Sequence, residues 1–365
     1  MSQQTYERLV ETLGKRGGAA PAIKCPELYE LLNELFTPEE AALASQMPMQ
    51  PISAADLATE TGRDRVEVEQ LLDVMANKGL IISRDRHGVD LFTVQQMMPG
   101  IFEYQFMRGE VNDHCKRLAH LFDDFLDVVA KSFSEGATLP LFPFARVIPV
   151  EEEVTASVQI EPYDRVSHYI DTAEHVSVST CYCRHHGDLL DQGCDKPKEV
   201  CLTFGPAAKF NDKRGFGRLI SKEEARRILD LSEKEGLVHC STNTGRYIDF
   251  ICNCCSCHCF ILRSIKHSGM PSAAATSGFI AMVSEEDCIG CEECVERCQM
   301  EALSMHGDVV ERDAGRCIGC GICVSTCTTG AITMEPRDDR PVTPYDRKSL
   351  NDAMFASLGM RSNTG

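Results

Sequence analysis

The chain has 365 residues, 20 of them cysteine, and a formal net charge of −18. That length leads us to expect two or three domains with room for buried cores, and the acidic balance disfavours tight non-specific binding to nucleic acid or anionic lipid. Charged residues at 25 % and hydrophobic residues at 43 % are ordinary globular values and exclude wholesale disorder. The opening MSQQTYERLV has no apolar segment of the secretory type. No stretch reaches the ~20 apolar residues of a membrane helix; the best candidate, Ala273–Val283, is too short and contains Thr and Ser. A cytoplasmic protein without a membrane span is expected. In a reducing cytoplasm the cysteines read as metal ligands rather than disulfides.

The N-terminal third holds only Cys25 and Cys115. From Ile52 to Val94 the pattern predicts a short helix capped by Ser53 and carrying Leu57 and Ala58, then a turn at Thr61-Gly62. A second helix presents Val66, Leu71, Leu72 and Met75 and stops at Gly79. Strands follow at 80–82 and 91–94, joined through His87-Gly88. This order resembles the winged-helix superfamily. Residues 51–94 carry five basic and eight acidic side chains, and Glu67, Glu69 and Asp73 lie on the would-be recognition helix. Such a helix repels a phosphate backbone, so a protein-facing role is expected and no nucleic-acid partner. Residues 104–133 read as one long helix with an apolar stripe of Phe106, Val111, Leu118, Leu121, Phe122, Phe125 and Val129. Gly136, Pro140, Pro143 and Pro149 break it, and residues 154–170 alternate like a strand. Ser221 to Glu224 form a capping box for a helix ending near Lys234 and Gly236. A short amphipathic helix is expected near Leu350–Leu358.

Residues 288–298 and 317–327 both read C-x2-C-x2-C-x3-C, offset by 29 residues. This is the ligand spacing for two [4Fe–4S] clusters. Three cysteines on a tight loop reach three corners of a cubane, and the fourth points away to the other cluster. Cys288, Cys291, Cys294 and Cys327 are therefore expected to hold one cluster, and Cys317, Cys320, Cys323 and Cys298 the other. Gly290, Gly319 and Gly321 permit the close turns whose N–H groups face cluster sulfurs. The segment resembles the bacterial two-cluster ferredoxin, with Gln299 and Thr328 where proline usually follows the fourth cysteine.

Nine further thiols lie in the centre: Cys181, Cys183, Cys194 and Cys201, then Cys252, Cys254, Cys255, Cys257 and Cys259. So many neighbouring thiolates need a neutralising metal. They suffice for two more [4Fe–4S] clusters, which would give about sixteen irons per chain; spacing does not pair thiols with clusters, and zinc is the alternative. Cys25, Cys115 and Cys240 read as isolated. His185, His186 and His258 sit among the cysteines and read as neighbours of a site more than as ligands. The Cys254-Cys255 doublet resembles the cysteine-rich domains of heterodisulfide reductases. Lys209, Lys213, Arg214 and Arg218 form a basic patch, read as a solvated loop or as a docking site for an acidic partner. No P-loop, G-x-G-x-x-G or G-x-S-x-G sequence supports nucleotide binding or serine chemistry.

Over roughly residues 52–335 the layout resembles the multi-cluster iron–sulfur proteins of anaerobes. These join a winged-helix-like N-terminus to a central Cys-rich domain and a C-terminal two-cluster ferredoxin. The resemblance rests on Cys181-Tyr-Cys183-Arg184, Cys194-x2-Pro197-x3-Cys201, Gly236-Leu-Val-His239, Cys252-Asn-Cys254-Cys255 and the two ferredoxin runs. The expected fold is α+β. It comprises a winged-helix-like domain (1–100), a helical linker (101–150), a Cys-rich iron–sulfur domain (151–275), a two-[4Fe–4S] ferredoxin domain (276–336) and a tail (337–365). The resemblance implies one-electron transfer to redox partner proteins or within a larger oxidoreductase complex. No acid, base or nucleophile set marks a stand-alone enzyme. The alternatives are a redox-sensing transcription regulator and an oxidoreductase with a reactive central cluster.

Overall fold

A computed structural model describes residues 2–18, 20–134, 142–154, 164–268 and 274–357. Helices and strands are mixed, as an α+β protein requires. The chain forms two compact units: residues 1–138 with 179–193 and 206–218, and residues 139–178 with 194–205 and 219–365.

The first unit opens with helices Ser2–Arg16, Pro26–Leu35 and Pro38–Ala44. The third starts at a reciprocal cap, with Thr37 accepting from the Glu40 N–H and the Glu40 carboxylate accepting from the Thr37 N–H. Helices Ala54–Thr61 and Arg65–Asn77 follow, and Gly62 ends the first of them in the left-handed region. Ser53 caps Ala54–Thr61 through its hydroxyl, and Asp64 caps Arg65–Asn77. The hairpin Ile81–Arg86/Val89–Val94 turns at His87-Gly88, both with positive φ. A two-residue strand, Ile52–Ser53, completes a three-stranded sheet against Val89–Val94. The helix–turn–helix–hairpin order matches the sequence reading, but one inward residue differs. Val66 is 58 % exposed, and Val68 takes the core position with Leu72 and Met75.

The long helix expected over 104–133 is two helices, Ile101–Phe106 and Asp113–Ser134. Gly109 breaks it at φ +69, where a Cβ would meet Thr180 Oγ1 at 2.8 Å. Asn112 restarts the chain by accepting from the Cys115 N–H at 2.8 Å. Val111 falls in the break and is 70 % exposed, so it leaves the apolar stripe. Helix Tyr182–Leu189 packs in this unit, where the Tyr182 and His186 rings meet Phe102 edge-on. Of the basic patch, Lys209, Lys213 and Arg214 lie on helix Gly205–Arg214 and Arg218 opens strand Arg218–Ile220, and two of the four have acidic partners within this unit. Arg214 pairs with Asp73 at 2.5 Å, and Lys213 pairs with Asp90 at 3.0 Å.

A seven-stranded sheet dominates the second unit. Its order is Ala274–Ala275, Ala145–Ile148, Val238–Thr242, Phe250–Cys254, Glu199–Phe204, Val176–Thr180, Arg218–Ile220. Phe250–Cys254 runs antiparallel to both its neighbours. Residues 155–163 of the strand-like stretch at 154–170 lie outside the described residues, as do Gly136, Pro140 and Leu358. Val166–Thr172 is a helix, and the strand comes after it. Helix Lys222–Lys234 is capped by Ser221, which accepts from the Glu224 N–H, and the chain turns at Gly236. Residues 337–347 run along this unit. The Arg337 side chain donates to the Cys317 and Phe279 carbonyls, and the Gly245 and Arg246 N–H groups donate to Pro344 and Tyr345. Helix Arg347–Ser357 then seats Leu350 in the core.

Candidate metal centres

Strands Phe279–Val283 and Ile332–Pro336 pair at the base of the C-terminal repeat, and the hairpin Leu303–His306/Val309–Arg312 closes its middle. Phe279, Ala281, Leu303, Val310, Ile332 and Met334 form its core, against which cysteines of both runs pack. The two loops line two cavities. Cys288, Cys291 and Cys294 face one together with Cys327, beside Val310 and Ile332. Cys317, Cys320 and Cys323 face the other together with Cys298, beside Leu303, Ile318 and Ile322. Each fourth cysteine thus lies with the loop of the other half. The loops turn through Gly290, Gly319 and Gly321, all at positive φ. A Cβ on Gly290 would stand 2.5 Å from the Asp308 carbonyl, so any side chain there would be both strained and in collision.

Burial pushes the Cys320 thiol up to about 12, with a smaller rise from its neighbours Cys298, Cys317 and Cys240. Burial and the surrounding cysteines likewise hold Cys323 well above the ordinary thiol value. Cys327 behaves oppositely. Burial raises it, but hydrogen bonds from the Thr329 hydroxyl and from the N–H groups of Ile332, Thr329 and Ala331 outweigh that and lower it. The Ala302 N–H donates to Cys298 Sγ at 3.2 Å. Apolar walls, four convergent thiols and N–H donors aimed at sulfur are what a [4Fe–4S] cluster requires.

The central cysteines do not group as the two runs in which they occur. On the sheet, Cys240 stands directly opposite Cys252, and Cys254 follows on the same face. Leu202 pairs with Ile251, so their neighbours Cys201 and Cys252 also share that face. Cys259, just before helix Phe260–Ser268, completes a buried group with Cys240, Cys252 and Cys254. Hydrogen-bonding contacts with Cys240, Cys252 and Cys259, with burial added, raise Cys254 well above the ordinary thiol value. Contact with Cys254 lowers Cys240, but burial and the neighbours Cys259 and Cys252 outweigh it. Such thiols keep their protons unless a cation replaces them.

Cys240 read as isolated in the sequence, yet it is part of this group. Alternation along Cys252 and Cys254 signals one sheet face, but only the strand register brings Cys240 onto it. Cys194, Cys255, Cys257 and His258 converge separately, with ligand atoms all within 4.8 Å of one another. Contact with Cys255, followed by burial, drives the Cys257 thiol far up. In the first unit Cys181 is buried at the start of helix Tyr182–Leu189, with Cys183 in its first turn. His185 and His186 in that helix meet the backbone carbonyls of Glu110 at 2.9 Å and Ala119 at 3.0 Å. His239 is clasped between Asn253 at 2.6 Å and Glu233 at 3.0 Å.

The 4Fe-4S binding domain family matches residues 281–304 and 310–333, the two halves that enclose the paired cavities. The C-terminal region is thus a 4Fe–4S ferredoxin domain of two repeats, and an iron–sulfur function follows for it. No curated protein and no solved structure matches the chain. No helix among the described residues is long and apolar enough to cross a membrane.

Proposed function

We propose that the protein carries single electrons, either as an independent iron–sulfur protein or as the electron-delivering subunit of a larger redox enzyme of anaerobic metabolism. In this reading Cys288, Cys291, Cys294 and Cys327 hold one [4Fe–4S] cluster, and Cys298, Cys317, Cys320 and Cys323 hold a second. Cys240, Cys252, Cys254 and Cys259 on the sheet hold a third. When bound, such a cluster supplies one reversible electron. The chain fixes where the clusters sit, keeps water from the buried thiolates, and sets potentials through N–H groups aimed at sulfur. The N-terminal helix–turn–helix–hairpin is a winged-helix-like module that faces a redox partner protein.

The observation that carries this reading is the closeness of the Cys240 strand to the Cys320 loop: Val147 on strand Ala145–Ile148 pairs with Cys240, and just past that strand the Val150 N–H donates to the Cys320 carbonyl at 3.0 Å. The sheet group and the second ferredoxin cavity are therefore neighbours, and an electron crossing the ferredoxin pair has a further site beside it. The test is iron and sulfide analysis of anaerobically purified protein, followed by stepwise reduction watched by visible absorption and paramagnetic resonance. About twelve cluster irons are expected, of which Cys240→Ser removes about four and leaves the ferredoxin pair reducible. About eight irons, unchanged in Cys240→Ser, would remove the third site. Clusters that no low-potential donor reduces would remove the electron-transfer reading.

A further inference from the structure

Cys194 lies in the loop leading into strand Glu199–Phe204, and Cys255, Cys257 and His258 lie in the loop leaving strand Phe250–Cys254. The strands are antiparallel neighbours, with Leu202 opposite Ile251, so the start of one adjoins the end of the other. At that shared end His258 Nδ1 stands 3.2 Å from Cys257 Sγ and 3.9 Å from Cys255 Sγ. All four ligand atoms, Cys194 Sγ included, lie within 4.8 Å of one another.

We propose that Cys194, Cys255, Cys257 and His258 hold a single tetrahedral divalent ion of the zinc kind, separate from every iron–sulfur cluster. Size is the main argument. Ligands on one tetrahedral ion with metal–sulfur bonds of about 2.3 Å stand about 3.8 Å apart. The thiolates of a cubane cap the corners of an iron tetrahedron and must stand farther apart. Among the described residues it is this set that closes on a single point; in the sheet group Cys254 touches three thiols, but those four, like either ferredoxin quartet, do not all draw within that span of one another. The donor set agrees. Three thiolates and one imidazole match a structural zinc site of the Cys3His type, and a neutral imidazole lowers the summed negative charge by one relative to four thiolates.

Placement gives the ion a role. It clamps two loops at one end of the sheet, one of which includes the buried Cys255. The residue between two of the ligands is also held from outside. The Ser256 N–H donates to Gln299 Oε1 at 2.9 Å, and Gln299 Nε2 donates to the Gly236 carbonyl at 3.0 Å. Gln299 directly follows Cys298 of the ferredoxin repeat. The clamped loop therefore fixes the sheet cysteines Cys252, Cys254 and Cys259 relative to the ferredoxin cavity. The site does not depend on electrons passing through the centre.

Zinc and iron analysis of the full chain, purified without air, tests it. We expect about one zinc per chain beside the cluster iron. Cys194→Ser and Cys257→Ser should each lose that zinc while the paramagnetic signals of the reduced ferredoxin clusters persist. His258→Ala should weaken zinc retention against a chelator, and His258→Cys, which rebuilds a four-thiolate site, should restore it. A lone thiolate-held iron lost in the same variants supports the same geometry with a different ion. Cys194→Ser or Cys257→Ser costing about four irons and no zinc would overturn the proposal, because those residues would then belong to a cubane. A chain with no metal beyond its cluster iron overturns it too. If these variants do not fold, the chelator comparison of wild type with His258→Cys still decides, since equal and negligible zinc in both is incompatible with the site.

Discussion

Gln299 stands where a bacterial ferredoxin repeat usually carries proline, and the exchange has a visible consequence. A proline offers neither a side-chain acceptor nor a donor, whereas Gln299 accepts from Ser256 and donates to Gly236. One residue past the fourth cysteine thus ties the ferredoxin half to the cysteine-rich loop. Cys298 itself leads to a test. It lines the cavity of Cys317, Cys320 and Cys323 and not that of its own loop. Cys298→Ala is therefore expected to lose or destabilise the cluster of the second run, with about four irons gone. The signals of the Cys288, Cys291, Cys294 and Cys327 cluster should be unchanged. Assignment of the surviving signal by a second substitution, Cys291→Ala, checks it. Loss of the Cys288 cluster in Cys298→Ala would contradict the crossed arrangement.

Helix Arg65–Asn77 bears on the expectation that the N-terminal module meets no nucleic acid. In a winged-helix arrangement its place after a helix and a tight turn would be that of a recognition helix, but its charges are engaged. Arg65 pairs with Glu69, Arg63 before the helix pairs with Glu67, and Asp73 pairs with Arg214 from helix Gly205–Arg214. The exposed pairs contribute little to stability, but they leave few cations to meet phosphate. The full chain is expected to show no salt-sensitive binding to a mixed-sequence DNA duplex near physiological ionic strength. A fluorescence-anisotropy titration measures this, and binding that falls steeply with added salt would contradict it. In the sequence pattern the apolar stripe runs on through Val111, yet the helix breaks at 107–112, where Gly109 takes a positive φ beside Thr180, a neighbour seventy-one positions on that no local pattern reveals.

Across the whole second unit, a buried ion group joins three distant parts of the chain. Arg146 on a sheet strand donates to Asp164 at 3.1 Å and to the Tyr169 hydroxyl at 2.9 Å, while Arg340 from the C-terminal segment reaches the other Asp164 oxygen at 2.8 Å. Arg146 and the Asp164 carboxylate are almost fully buried. Removing the anion alone leaves a buried cation uncompensated, so Asp164→Ala should destabilise the protein by about 3–5 kcal/mol. Anaerobic denaturant titration checks this. Asp164→Ala combined with Arg146→Met should recover a large part of the loss, because no charge then stays stranded. A change below about 1 kcal/mol in the single variant would mean that solvent, not Asp164, balances Arg146.

The two ferredoxin loops are legible in the residues alone, because every cysteine-bearing turn there is local. Four cysteines and their glycines within eleven residues leave one workable geometry, and the repeat names its own partner. The capped helices at 54–61, 65–77 and 222–234 are legible in the same way, since their start and stop signals act over three or four residues. How the central cysteines group is not legible in the chain and emerges from the packing of its strands. Cys240 joins Cys252, Cys254 and Cys259 through strand register, and Cys194 joins Cys255, Cys257 and His258 because two antiparallel strands bring their ends together. A thiol carries no mark of its partner when sixty residues separate them. Pairing is then set by which strands hydrogen-bond and in what register, and the burial of the whole sheet settles that.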